Sequence, residues 1–201
     1  MGVLHDIGMK HGTDKATFHR YCDFYQDHLP GRGFDGTMLE IGVMDGASLK
    51  MWREYWPDAL IIGVDNTRPT KVAGCYVRQF DATDPDDVEV LTGLFGPFDV
   101  ILDDGSHLTQ DQQDTFRMLY PALNPDGRYV IEDLHTSYMS NYVNSARSTL
   151  AWLGDVRQVS GIHRTPHGDP DRFVFRSGFV PAGVTWSGPD PAESITAIIS
   201  A

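Results

Sequence analysis

The chain has 201 residues, 41% of them apolar, and this length and composition are typical of a single domain with a proper hydrophobic core. Its formal net charge of −12 argues against nucleic acid or an anionic membrane as a partner, because both bind to surfaces rich in Lys and Arg. The two cysteines lack the spacing of a zinc site, and no signal-peptide pattern or long apolar run occurs, so we expect a soluble, cytoplasmic protein with reduced thiols.

Short apolar runs alternate with amphipathic stretches along the chain, which predicts an α/β protein. The predicted strands are residues 37–43, 60–65, 75–80, 98–103 and 128–132. The predicted helices are residues 15–29, 47–55, 85–94, 110–122 and 143–153. A turn over residues 124–127, Asn-Pro-Asp-Gly, is expected to separate the predicted helix 110–122 from the fifth strand.

The last quarter of the chain predicts a closing antiparallel hairpin. Its two β-like stretches are residues 156–164 and 172–177, separated by a turn rich in Pro, Gly and Asp. We expect irregular structure with a weakly apolar end over residues 180–201. The whole chain, 1–201, is therefore interpreted as one domain, with a helical N-terminal segment (1–36), a core (37–178) and a tail (179–201).

Acidic residues follow two of the predicted strands directly. Asp103 and Asp104 end one strand and are followed by His107, and the pair Glu132 and Asp133 ends the next. The carboxyl ends of neighbouring parallel strands meet at one edge of an open sheet, where ligands bind. Converging carboxylates can hold a hard divalent cation, and the imidazole can act as a base. The pattern predicts an active site, although each residue alone also fits a helix cap or a solvated loop.

A glycine-containing loop follows the first strand and suggests a nucleotide-type cofactor. The loop runs from Glu40 to Gly46 and brings Gly42 to a strand-to-helix turn, where backbone can approach a ligand closely. The acid Glu40 disfavours a pyrophosphate and tolerates a cationic ligand. Asp65, at the end of the second strand, stands where an acid binds ribose hydroxyls, and Asp81 follows the third strand within reach of an adenine amino group.

Together these motifs resemble the class I S-adenosylmethionine-dependent methyltransferases. The combination of Gly12-Thr13-Asp14-Lys15, the Glu40 loop, Asp103 to His107 and Ile131-Glu132-Asp133 is similar to the metal-dependent sugar O-methyltransferases of antibiotic pathways, of the mycinamicin 2''-O-methyltransferase type. The resemblance implies a Rossmann-like fold with a seven-stranded, mostly parallel sheet, a C-terminal antiparallel hairpin and helices on both faces.

The resemblance also implies roles for individual residues. It makes Asp104 a ligand of Mg²⁺ and a catalytic residue, Glu132 and Asp133 further ligands, and His107 the general base. Residues implied to bind S-adenosylmethionine are Thr13, Lys15, Glu40, Gly42, Gly46, Ser48, Asp65, Asp81 and Asp103.

The implied reaction is methylation of a hydroxyl of a sugar, expected to be a deoxysugar of a glycosylated secondary metabolite. Two other classes stay open on the sequence: a metal-dependent hydrolase or lyase on the same kind of sheet, and a non-catalytic cofactor-binding subunit of a hydroxylation system. Residues 12–15, with His19, Tyr21 and Tyr25, are interpreted either as a lid over the site or as a packing or oligomer contact. Homo-oligomer formation is also left open.

Overall fold

The computed structural model describes residues 2–156, 159–166 and 193–201. In these ranges the strands are β1 Thr37–Ile41, β2 Leu60–Asp65, β3 Tyr76–Gln79, β4 Phe98–Asp103, β5 Leu123–Ile131, β6 Val159–Pro166 and β7 Glu193–Ser200. The α-helices are α1 Val3–His11, α2 Asp14–Thr17, α3 Cys22–His28, α4 Ala47–Tyr55, α5 Pro85–Phe95, α6 Thr109–Leu119 and α7 Thr149–Leu153. Short 3₁₀ helices span Tyr120–Ala122 and Leu134–Tyr138.

One seven-stranded sheet organises the fold, in the order β3-β2-β1-β4-β5-β7-β6. The pairs among β1 to β5 are parallel, whereas β7 pairs antiparallel with both β5 and β6. The predicted sheet, mostly parallel and closed by an antiparallel hairpin, is confirmed.

Helices cover both faces of this sheet, as predicted. Successive strand residues point to opposite faces, so Met38 of β1 joins one core and Leu39 the other. The Met38 core includes side chains of α1, α3 and α4, and the Leu39 core includes side chains of α5, α6 and α7. Parallel strands buried on both faces have nearly continuous apolar sequences, which explains why β2 and β4 were predicted with their observed bounds.

The prediction for the C-terminus is partly wrong. Residues 193–200, expected to be irregular, form β7 inside the sheet, between β5 and β6. The proposed second hairpin strand, residues 172–177, lies outside the described residues. The stretch looks only weakly apolar in the sequence because two of its fully buried residues, Ser194 and Thr196, are polar; the Thr196 hydroxyl donates to the Ile131 carbonyl oxygen at 2.9 Å.

Several helix predictions also need correction. The helix predicted for residues 15–29 is broken into α2 and α3, and Arg20, between them, has a positive φ of 57°. Only Thr149–Leu153 of the predicted 143–153 helix is α-helical, and α1 was not predicted. The turn predicted over 124–127 belongs to β5, where the pairing with β4 shifts register between Phe98 and Val100. In the part of the chain described here, no helix has the length and apolarity needed to cross a bilayer.

Candidate active site

A cleft of about 250 Å³ opens where β1, β2, β3 and β4 end. The chain adds β2 and β3 on one side of β1 and β4 on the other, so the strand order reverses between β1 and β4. Ligands of open α/β sheets bind outside the carboxyl ends of strands at such a reversal. The predicted site residues that line this cleft are Gly42, Asp65, Asp81, Asp103, Asp104, His107 and Asp133.

Gly42 allows the loops after β1 and β4 to approach each other at this reversal. Its φ is +89°, in the region that favours glycine, and a Cβ atom at this position would lie 2.0 Å from the carbonyl oxygen of Asp104. That oxygen belongs to the backbone and cannot be displaced cheaply. The sequence predicts that backbone at this glycine approaches a ligand; in the structure the missing side chain makes room for the loop that carries Asp104.

Asp65 holds the glycine loop from the end of β2. One carboxylate oxygen accepts hydrogen bonds from the backbone N–H groups of Val43 (2.9 Å) and Met44 (3.3 Å), and the other accepts from the Thr67 backbone and hydroxyl. Burial alone would raise the pKa of this carboxyl group, but the hydrogen bonds outweigh it and hold the pKa below its usual value. Asp65 thus stays ionised at the edge of the cleft.

Asp81 and Asp103 line the cleft beside Asp65. The Asp81 carboxylate accepts from the backbone N–H and hydroxyl of Thr83, which fixes the loop after β3. Asp103 is almost fully buried, and burial raises its pKa to about 7 even though the backbone N–H of Gly105 donates to it at 3.3 Å. Asp103 therefore lines the cleft with a carboxyl group that titrates at a pKa of about 7.

A cluster of Asp104, His107 and Asp133 lies in the same cleft. His107 Nε2 is 3.8 Å from Asp104 Oδ1 and 3.7 Å from Asp133 Oδ2. One ligand atom from each of the three residues falls within 4.8 Å of the others, a spacing that a single cation can bridge. His107 Nδ1 is buried and has no hydrogen-bond partner among the described residues. The two carboxylates suit Mg²⁺ or a similar hard divalent ion, and the imidazole lies beside them.

Backbone strain marks two of these residues. His107 and Asp133 have positive φ values of 58° and 54°, which non-glycine residues seldom adopt. Residues in such conformations concentrate at functional sites, because the surrounding structure must hold them there. Both side chains lie close to Asp104, as predicted from the strand ends, whereas their positive φ values could not be predicted from the sequence.

Electrostatics differ between the two carboxylates of the cluster. Burial raises the pKa of Asp104, and the Lys15 ammonium and His107 oppose this only in part. Burial acts in the same direction on Asp133, but His19, His107 and His135 together outweigh it and lower its pKa. Asp133 is therefore the more strongly ionised partner of His107.

The N-terminal segment supplies donors to these acids from behind the cluster. Lys15 is 1% exposed, and its Nζ lies 2.5 Å from Asp104 Oδ2 and 3.0 Å from Glu132 Oε2. The Tyr25 hydroxyl donates to Glu132 Oε1 at 2.6 Å, and the Tyr21 hydroxyl donates to Asp133 at 2.9 Å. From the sequence, these tyrosines belong to a segment that is interpreted either as a lid over the site or as a packing or oligomer contact.

The structure does not bring every predicted site residue to the cleft. Glu132 is 1% exposed, and both of its oxygens accept bonds from Lys15 and Tyr25, so it stands apart from the cluster of Asp104, His107 and Asp133. The predicted cofactor residues outside the cleft lining are Thr13, Lys15, Glu40, Gly46 and Ser48. Lining residues that the sequence analysis did not select include Met44, Asn66, Phe80, Asp111, Gln112 and Thr115.

Comparison with known proteins identifies relatives of this chain, although no family model matches it. The 8-demethyl-8-alpha-L-rhamnosyl tetracenomycin-C 2'-O-methyltransferase of Streptomyces olivaceus is 34% identical over 178 residues, covering 82% of this chain and 47% of that enzyme. The mycinamicin VI 2''-O-methyltransferase of Micromonospora griseorubida is 32% identical over 154 residues, covering 71% of this chain and 39% of that enzyme.

A solved structure agrees with these sequence matches. The MycE methyltransferase of the mycinamicin pathway, in complex with Mg, SAH and mycinamicin VI, superposes with a TM-score of 0.73 at 26% identity, over 81% of this chain and 51% of that chain. By sequence and by fold, this chain is a homologue of the sugar O-methyltransferases. The resemblance predicted from its motifs, and the methyltransferase fold with it, are confirmed.

The homologous sugar O-methyltransferases are longer proteins. The chain spans about half of their length or less. Their names describe enzymes that act on glycosylated small molecules, among them rhamnosyl and olivosyl compounds. The metal-dependent hydrolase or lyase considered from the sequence is not favoured, because the curated relatives are all named O-methyltransferases.

Proposed function

We propose that this chain binds S-adenosylmethionine and Mg²⁺ and methylates a hydroxyl of a sugar on a glycosylated natural product. One observation carries the proposal. The cluster of Asp104, His107 and Asp133 opens into the same cleft as the glycine loop and Asp65, so a methyl donor and a metal-bound acceptor can meet there. The homology to sugar O-methyltransferases supports the same reaction.

The donor half of the cleft fits a cationic cofactor. Gly42 lines this half where the loops after β1 and β4 meet, and Asp65 and Asp81 offer fixed carboxylates for ribose hydroxyls and an amino group. The cleft is lined by acids and has no Lys or Arg among its lining residues in the described part of the chain. When bound, S-adenosylmethionine supplies a methyl group on a positively charged sulfur, and these acids favour a positive charge.

The acceptor half fits a divalent cation. Asp104 Oδ1 and Asp133 Oδ2 converge beside His107. Glu132 stays only a prediction of the resemblance as a third ligand, because both of its oxygens are bonded to Lys15 and Tyr25. When bound, Mg²⁺ would make a coordinated hydroxyl more acidic. The residues that would hold it are anchored at two strand ends, which keeps the acceptor side rigid.

His107 is proposed to take the proton of the acceptor. When bound, S-adenosylmethionine would supply the methyl group to the hydroxyl oxygen, with the electron pair of the broken carbon–sulfur bond kept by S-adenosylhomocysteine. The hydroxyl proton passes to the imidazole. Asp104 and Asp133, both within 4 Å of the ring, orient the imidazole beside the metal site. Positioning supplies most of the acceleration in such a direct transfer.

Titration of S-adenosylhomocysteine into the purified protein tests the cofactor part of the proposal. We expect saturable binding in a one-to-one ratio, lost in Asp65→Ala because that change releases the loop backbone at Val43 and Met44. Asp58→Ala, which alters an exposed acid beyond α4, is the matched control and should bind normally. Absence of binding by the folded wild-type protein would contradict the proposal.

His107→Ala tests the assignment of the base. We expect methyl transfer to a panel of glycosides to fall by about 10²–10⁴-fold, the usual contribution of a general base. The affinity for S-adenosylhomocysteine should stay within about threefold of wild type, because His107 contacts the acceptor side. His28→Ala, at an exposed histidine, serves as control. Equal loss of binding and transfer in a folded His107→Ala protein would reject this role.

The acceptor and the assembly state complete the proposal. We infer a glycosylated small molecule as the acceptor, from the relatives named above, and expect binding to neither nucleic acid nor membranes, because of the acidic composition. Light scattering on the purified chain measures its molar mass in solution and shows whether it forms the homo-oligomer that the sequence leaves open. We place this activity within one domain spanning residues 1–201.

A further inference from the structure

Lys15 is a buried cation that contacts acids from three strands. Its side chain is 1% exposed, and Nζ lies 2.5 Å from Asp104, 3.0 Å from Glu132 and 3.6 Å from Glu40, residues at the ends of β4, β5 and β1. A fully buried lysine is rare unless it is paired, and here the pairing is multiple. The resemblance assigned Lys15 to the cofactor, but it does not line the cleft.

The acid oxygens divide into two sets around Lys15. Asp104 Oδ2 is bonded to Lys15, whereas Asp104 Oδ1 faces His107. Asp133 shows the same division, because Oδ1 accepts from the Tyr21 hydroxyl and Oδ2 faces His107. One oxygen of each carboxylate is thus held by the N-terminal segment, and the other is directed toward the imidazole.

Tyr25 and Glu132 fix the position of the ammonium itself. Glu132 Oε2 accepts from Lys15 and Oε1 accepts from Tyr25, so both of its oxygens are bonded behind the cluster. The chain between Lys15 and Tyr25 is buried at Tyr21 and Cys22 as well. The ammonium therefore has little freedom to leave the acids that it contacts.

We propose that Lys15 is a positioning residue for the metal site: it holds Asp104 through one oxygen so that the other oxygen converges with His107 and Asp133. The inference rests on the proposed function, because it presupposes a divalent cation at that point. Lys15 does not compete for the same atoms, since the oxygen it binds is not the one that faces His107. Residues that orient metal ligands commonly change metal affinity by 10–100-fold when they are replaced.

Manganese binding, followed by electron paramagnetic resonance without any acceptor, tests the inference. We expect Lys15→Met to bind Mn²⁺ at least tenfold more weakly than wild type, because the Asp104 carboxylate is then free to rotate. Affinity for S-adenosylhomocysteine, measured by titration calorimetry, should stay within about threefold, since Lys15 does not line the cleft. Lys10→Met, at a lysine that pairs with Glu54 on the surface, is the matched control and should bind both ligands normally.

Lys15→Gln provides a second variant of similar length that can still donate a hydrogen bond. It should recover part of the Mn²⁺ affinity lost in Lys15→Met, which a purely charge-neutralising role would not produce. Wild-type or tighter Mn²⁺ binding by folded Lys15→Met would overturn the inference. So would parallel loss of Mn²⁺ and S-adenosylhomocysteine, or failure of both variants to fold, because each assigns Lys15 to the fold. Failure of the wild-type protein to bind Mn²⁺ would instead reject the metal in the proposed function.

Discussion

Glu40 is the most completely buried acid next to the site. It has no exposed surface, and neither carboxylate oxygen has a hydrogen-bond partner within 3.5 Å among the described residues. Burial raises its pKa to about 7, and Lys15, 3.6 Å away, opposes this only in part. The carboxyl group therefore takes up a proton more readily in the folded protein than in the unfolded chain.

Stability should reflect this difference in proton uptake. Because the folded pKa of Glu40 exceeds the unfolded value near 4.5, ionisation between those values destabilises the fold as pH rises. We expect Glu40→Gln to gain about 2 kcal/mol of unfolding free energy relative to wild type when pH is raised from 5.5 to 8. Urea unfolding of both proteins at the two pH values, in the presence of a chelator, measures this change in unfolding free energy.

Glu89→Gln, at an exposed acid of α5, is the control for that experiment. Its difference from wild type should be nearly the same at the two pH values, because the side chain is solvated in both states. If the difference in unfolding free energy between Glu40→Gln and wild type is also the same at both pH values, Glu40 stays ionised in the folded chain.

Among elements, β7 connects the N-terminal segment to the sheet. It lies between β5 and β6, and its residues Ile195, Ala197, Ile198 and Ile199 have no exposed surface. The Tyr21 hydroxyl, which donates to Asp133, also lies 3.4 Å from the Ile195 carbonyl oxygen. This strand therefore supports the site although it lies at the far end of the sequence.

Ile198→Ala tests the place of β7 in the sheet. We expect a loss of about 2–5 kcal/mol in the free energy of unfolding, because the change leaves a cavity in the core that also contains Met38 and Val130. Chemical denaturation followed by circular dichroism measures the loss. Leu94→Ala, at a leucine of α5 that is 65% exposed, should change it by less than about 0.5 kcal/mol. If both variants had equally small effects, β7 would not contribute to the stability of the core.

At the scale of the whole molecule, acidic residues outnumber basic ones by 28 to 16. Seven of them line the cleft, and exposed acids such as Asp58 and Glu89 contribute to repulsion across the surface. Salt weakens such repulsion because it shortens the Debye length from about 30 Å at 10 mM to about 10 Å at 100 mM. Salt also screens surface ion pairs such as Lys10 with Glu54, but such pairs contribute little to stability, so little is lost.

We expect the unfolding temperature to rise by about 2–4 °C between 10 and 100 mM NaCl, equivalent to about 1 kcal/mol for a chain of this size. Differential scanning calorimetry measures the shift. A variant with three exposed acids neutralised, Asp27→Asn, Asp58→Asn and Glu89→Gln, should respond less. A fall in the unfolding temperature with salt would mean that attractive pairs outweigh the net charge.

The sequence alone predicted the parts of the site that depend on neighbours along the chain. Parallel strands end at one edge of their sheet, so Asp65, Asp103 and Asp104 could be placed there from the apolar runs before them. Gly42 was predictable for the same reason, because a tight strand-to-helix turn needs its positive φ. The mostly parallel sheet and its cover of helices followed from the alternating pattern and the resemblance, whereas the order of the strands came only from the structure.

Contacts between distant segments were decided only by the tertiary structure. Lys15 and Glu132 are 117 positions apart, and His19 and Ser194 are 175 apart, so no local pattern relates them. Whether Lys15 contacts a cofactor or carboxylates depends on which oxygens are buried beside it, and β7 is buried because β5 and β6 flank it. Burial and hydrogen bonding are properties of the packed molecule, whereas strand periodicity and turn chemistry are properties of the chain.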